Sequence, residues 1–154
     1  MILTLTNLRT QYDPDLSFVR LQWHSAQPGM AGFQQSLNLV ACLVEQGTVH
    51  DALIDLHGLP NIGLEDQFWL ATNWLPRVSV PAVQRAALVL PPSNSYNQLV
   101  VESLIRTGRH FMHYDIQFFT TSIDALDWLF HEKPCTQEHL DTEWKEPKQV
   151  SAGL

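Results

Sequence analysis

The stretch ALIDLHGLPNIGLEDQFW, residues 52–69, decides the fold. It opens as an apolar run, Ala52 to Ile54, and ends in Asp55, Leu56, His57 and Gly58. Pro60, Asn61 and Gly63 then supply turn chemistry. Glu65 and Asp66 follow, suited to the first turn of a helix, where negative charge complements the exposed N–H groups. A strand running through a short loop into a helix is half of a βαβ unit.

The same punctuation recurs on both sides. Before it, the segment 2–8 has strand composition, and Asp13-Pro14-Asp15 reads as a turn. SFVRLQWH, residues 17–24, alternates strictly: Val19, Leu21 and Trp23 point one way, Arg20, Gln22 and His24 the other. An antiparallel hairpin with one buried face is expected. Phe33, Leu37, Val40, Ala41 and Val44 then recur at helical spacing, with Gly47 placed to stop the helix.

After it, the segment 64–75 reads as a helix ended by Pro76, with Leu64, Phe68, Ala71 and Leu75 toward the sheet and Trp69 and Trp74 partly exposed. Arg85–Pro92 gives an interior strand. A helix over 95–108 carries Tyr96, Leu99, Val100, Ser103 and Leu104 along one side. A long strand covers 110–121, and a final helix starts at Thr121, with Asp124 three residues later as in a capping box. From Pro134 the pattern is lost, so residues 133–154 read as a tail or a docking arm. The sum is one α/β domain over 1–132: a five-stranded mixed sheet with about four helices, placed largely on one face by right-handed crossovers.

Composition bounds the function. The chain has 154 residues, 45% hydrophobic and 16% charged, which suits a single domain with a real core. Its formal charge of −7 and scattered basic residues argue against nucleic acid and anionic membrane as partners. The N-terminal alternation is strand-like and lacks the basic and apolar regions of a signal peptide. Two Cys, Cys42 and Cys135, do not make a secreted disulfide framework. A soluble cytoplasmic protein is expected.

This order of elements, with the residues at 52–66, resembles the STAS domain of anti-anti-sigma factors and sulfate transporters. Asp55, Leu56, Gly58, Leu59 and Ile62 fall in the family's Asp-Leu-x-Gly-Val/Leu pattern with its following Ile. The match then departs: where the family has Asp-Ser-Ser-Gly-Leu with a phosphorylated Ser, this chain has GLED, with Glu65 at or next to that position. DLHGLPNI, EDQFWLATNWLPR, AALVLP and IQFFTTSIDALDWL also resemble short bacterial STAS-like proteins grouped with lipid-transfer CRAL-TRIO domains. The resemblance covers about residues 1–132. It implies a regulatory or scaffolding module acting through protein contacts, with the phosphoacceptor absent. A phosphate on this loop would also meet repulsion from Glu65 and Asp66.

Three functions follow as expectations. The first is non-enzymatic recognition of a protein partner or of a second copy, through the loop and helix carrying Asp55, His57, Glu65, Asp66, Trp69, Trp74 and Arg77. The second is binding of a small apolar or lipid-like ligand between helices and sheet. The third is hydrolysis by Asp55 and His57, an Asp–His pair on one face of a strand, which lacks an evident nucleophile because no G-x-S-x-G elbow occurs. No cofactor is implied, since neither glycine-rich phosphate motif is present. No metal is implied either, because His110 and His113, three apart in a strand, point to opposite faces.

Overall fold

The structure is a computed structural model describing residues 1–5, 7–23 and 30–146. In chain order it contains β1 (Ile2–Thr4), β2 (Leu8–Asp13), β3 (Phe18–Trp23), α1 (Phe33–Glu45), β4 (Asp51–Asp55) and α2 (Leu64–Trp69). A π-helical turn (Leu70–Trp74) leads directly into α3 (Leu75–Val78). Then come β5 (Arg85–Val89), α4 (Ser95–Gly108), β6 (Asp115–Phe119), α5 (Ser122–Phe130) and α6 (Pro134–Lys145). The strands form one mixed sheet in sequential order, β1 to β6. β1–β2–β3 are antiparallel, and β3–β4–β5–β6 are parallel.

The sheet has six strands and not five. The expected first strand breaks in two because the chain reverses between Thr4 and Leu8. Leu5 N–H donates to the Leu8 carbonyl at 2.7 Å, and the fully buried Asn7 amide reaches the Ala31 carbonyl. The turn at 14–17 forms as read: Asp13 Oδ1 accepts from Leu16 N–H at 3.1 Å.

The helices cover both faces of the sheet, which corrects the one-sided arrangement. On one face, α1, the π turn, α3 and α4 pack on Leu8, Val19, Leu21 and Trp23. On the other, α5 and α6 pack on Phe18, Leu53, Ala87 and Val89 through Ala125, Leu126, Leu129, Phe130 and Leu140. α6 occupies a stretch that showed no apolar period. Two residues dock it, Leu140 and Trp144, and a helix held by so few apolar positions leaves little periodic signal. Residues 147–154 of the expected tail, and His24 of the expected hairpin, lie outside the described residues.

The second helix differs from expectation in both rotation and end. Leu64 and Phe68 are exposed, while Leu70, Trp74 and Val78 are buried. A spacing of four residues drifts off one face of an ordinary helix, and the π turn takes up the extra residue. Pro76 does not end the helix, since Leu75 keeps helical angles of φ −60° and ψ −44°. In a regular helix the Pro76 ring would press on the Thr72 carbonyl; the wider turn just before it relieves that contact.

Two further segments shift. The strand expected over 110–121 is only β6, because Phe111 and Met112 N–H both return to the Gly108 carbonyl and form a turn. On α4 the buried positions are Asn97, Val100, Val101 and Gly108, whereas Leu99 and Ser103 are exposed and Tyr96 is 42% exposed. A Cβ at Gly108 would come within 2.7 Å of Met112 Sδ, the movable end of a half-buried side chain, so Met112 and Phe111 would have to shift to admit one.

Candidate functional site

The parallel strands place their C-terminal ends, and the helix starts that follow them, along one edge of the molecule. Open α/β sheets bind ligands at such an edge. Asp55 closes β4 there. Its side chain is 6% exposed, and Oδ1 accepts from His57 N–H at 2.9 Å and from His57 Nδ1–H at 2.7 Å. The first bond tightens the strand end, and Gly58 at φ 81° completes the turn in a conformation that suits glycine. The second bond orients the imidazole and leaves Nε2 directed away from Asp55. This is two-thirds of an acid–base–nucleophile arrangement. Among the described residues, His57 makes no hydrogen bond to a serine, threonine or cysteine.

The loop that follows is clamped. Asn97 on α4 is 1% exposed; its Oδ1 accepts from Ile62 N–H at 2.9 Å, and its Nδ2 donates to Leu59 and Pro60 carbonyls at 3.3 and 3.0 Å. Tyr96 hydroxyl and Gln67 Nε2 both donate to the Ile62 carbonyl, at 2.9 and 2.7 Å. Buried amides that satisfy several backbone groups rigidify a loop. Asn97 lies outside the apolar stripe that the spacing of α4 marks, and a polar residue there carries no signal of burial in the sequence.

Of the residues singled out from the sequence, Asp55, His57, Glu65 and Asp66 sit at this edge. Glu65 is exposed, and Asp66 accepts from Gln34 Nε2 of α1 at 2.9 Å. The other three serve packing. Trp74 is buried and its Nε1 donates to the Leu37 carbonyl at 2.7 Å. Trp69 is half-buried edge-on to Phe33, with ring centroids 6.4 Å apart. Arg77 joins α3 to α1 through Glu45 at 2.7 Å and Asn38 at 2.7 Å, and the Glu45 bond raises its pKa.

The exposed apolar residues here are different ones. Leu64 is 81% and Phe68 71% exposed, and Leu99 on α4 is 67% exposed. Gln67 Nε2 to Tyr96 hydroxyl, at 3.1 Å, ties the two helices together between them. Large apolar side chains this exposed, gathered in one patch, mark contact sites on proteins.

An apolar pocket of about 150 Å³, partly open to the outside, lies between the sheet and α1, the π turn, α3 and α4. Its wall includes Leu21, Phe33, Val44, Ile54, Leu88 and Ile105. Among the described residues, no group of three His, Cys, Asp or Glu side chains is placed to hold a metal ion. Cys42 and Cys135 are free and exposed. None of the described helices is long and apolar enough to cross a membrane. No family model, no curated protein and no solved structure matches this chain.

Proposed function

We propose that this protein is a non-enzymatic, STAS-like regulatory or scaffolding module that docks a protein partner through the segment 57–77. The observation that carries this reading is the outward-facing pair Leu64 and Phe68, beside acidic Glu65 and Asp66, on a loop and helix held rigid from beneath by Asn97. The STAS-like reading itself rests on the Asp55-Leu56-x-Gly58 strand end leading into a helix, and on the hairpin followed by βαβ steps. A rigid apolar patch next to fixed carboxylates suits a partner with an apolar centre and a basic rim. A second copy fits less well, because a two-fold contact would bring Glu65 and Asp66 toward their own symmetry mates.

Affinity capture from a lysate of the source cells, with wild-type bait beside a Leu64→Asp, Phe68→Asp double variant, tests this. One protein retained by wild type, lost with the variant and released by salt is expected. Equal retention by both baits refutes the assignment of this face. Dimerisation of wild type at micromolar concentration in sedimentation, abolished by the same variant, would replace the foreign partner with a second copy.

A second reading, a carrier of a small apolar ligand, has the partly open apolar pocket as its support.

A further inference from the structure

The sheet ends on two unlike strands. β1 is three residues long, and so short an edge offers little to pair with. β6, Asp115–Phe119, is five residues long and closes the other side; among the described residues no strand lies beyond it. Edges that stay free are usually guarded by Lys, Pro, a bulge or a covering segment. The sequence of β6, DIQFF, holds neither Lys nor Pro, and its one charge, Asp115, stands at the start. α5 turns away from this edge, packing Ala125, Leu126 and Leu129 over Leu53, Ala87 and Val89 of β4 and β5. Phe118 is left 47% exposed.

The backbone phase shows which groups the edge presents. Asp115 N–H donates to the Gln84 carbonyl at 3.0 Å, and the Phe119 carbonyl accepts from Leu90 N–H at 2.9 Å. In a parallel ladder a residue sends its N–H and C=O to one side and its neighbours send theirs to the other. Asp115, Gln117 and Phe119 therefore bond toward β5, and Ile116 and Phe118 direct theirs outward. Ile116 and Phe118 also share the face of the sheet that α4 covers, where Ile116 packs beside Leu88, Val101 and Ile105. Phe119 lies on the opposite face against Trp128, with ring centroids 5.8 Å apart.

We propose that β6 pairs antiparallel with β6 of a second copy, about a two-fold axis through Gln117, so that one sheet runs through both chains. In that register Ile116 of one copy faces Phe118 of the other, and the outward groups of the two residues form a hydrogen-bonded pair on each side of the axis. Apolar side chains meet apolar ones, Gln117 meets its own amide across the axis, and Asp115 faces Phe119, so no like charges stand opposite. The antiparallel run also sends the exposed Arg109 and His113, just before each strand, toward the exposed Asp124 at the start of α5 in the other copy. A foreign strand would have to match this order; a second copy carries it. The surface is separate from the 57–77 segment, and the proposal does not rest on that docking reading.

Sedimentation of the full chain over a concentration series tests the pairing. One strand pair buries less than the roughly 1,200 Å² of a standard interface, so a reversible dimer half-formed near ~100 μM is expected. Phe118→Lys places a charge on the exposed edge and should weaken it about ten-fold or more. The Leu64→Asp, Phe68→Asp double variant should dimerise as wild type does. The register has its own readout in a Cys42→Ser, Cys135→Ser background. Residues facing each other in a non-hydrogen-bonded antiparallel pair have Cα atoms about 4.5 Å apart, within disulfide reach. Gln117→Cys, at an exposed side chain, should therefore cross-link to a dimer under mild oxidation, and Asp115→Cys should not. A wild-type chain that stays monomeric with Gln117→Cys uncross-linked overturns the proposal, as does a dimer unmoved by Phe118→Lys or equal cross-linking at both positions. A dimer lost in the Leu64→Asp, Phe68→Asp variant overturns it too and assigns self-association to the 57–77 face.

Discussion

Arg20 shows how much one buried residue decides. It is 3% exposed on β3, its Nε and Nη1 lack partners among the described residues, and its guanidinium stacks 4.1 Å from the Trp144 ring centre. Arg9 stacks on the same ring at 4.1 Å. Burial pushes the Arg20 pKa down to about 10, with Asp55 and Asp141 opposing the fall. The unfolded chain holds this proton to higher pH than the folded one. Stability therefore carries a penalty below about pH 10 that is relieved as pH rises through that value. Arg20→Met should hold or raise stability by ~1 kcal/mol at pH 7. Denaturant midpoints should show the gain shrinking above pH 10. A loss beyond ~2 kcal/mol would mean that the stacking on Trp144 outweighs desolvation.

Asn97 is the opposite case, a buried polar residue with every bond made. Asn97→Ala should cost ~2–3 kcal/mol, because Ile62 N–H and the Leu59 and Pro60 carbonyls lose partners in a buried setting. Amide exchange over residues 59–62 should quicken, while exchange in β2 stays as it was. Uniform quickening across the sheet would mean that Asn97 supports the whole fold and not this loop.

At the scale of elements, the helical run from Leu64 to Val78 makes a direct comparison possible. Phe68 is 71% exposed and Trp74 is 6% exposed, so their substitutions should differ sharply. Phe68→Glu should change stability by no more than ~0.5 kcal/mol, as surface changes usually do. Trp74→Leu should cost ~3 kcal/mol, through lost packing and the lost bond to Leu37. Thermal denaturation of both variants checks the assigned rotation of the helix. α5 offers a smaller test. Thr121 Oγ1 accepts from Asp124 N–H at 3.2 Å, so Thr121→Ala should cost ~1 kcal/mol.

For the whole molecule, the issue is what α6 covers. It lies over Arg9, Gln11 and Arg20 on the sheet. Gln11 Nε2 donates to the Leu140 carbonyl at 2.9 Å and to Glu143 at 3.0 Å. Leu140 is fully buried and is the main apolar anchor. Leu140→Ala should cost ~2–4 kcal/mol in a single cooperative transition with the slope unchanged. A separate early transition would show instead that α6 unfolds by itself.

Much of this architecture was legible in the chain. α1 buries Phe33, Leu37, Val40, Ala41 and Val44, the residues its spacing marked, and α4 runs from Ser95 to Gly108 as its pattern implied. The Asp55–His57 contact was also readable, because it is local: two residues at a strand end can meet only nearby. Periodicity and turn chemistry act over a few residues, so a single sequence displays them directly. The rotation of the second helix was not displayed, since a π turn depends on what Leu70 and Trp74 meet across the core. The second layer of α5 and α6, the clamp by Asn97 and the outward turn of Phe68 are likewise set by contacts between distant segments. Tertiary packing decides them, because burial and hydrogen-bond partnership are properties of the neighbours a residue acquires and not of the residue itself.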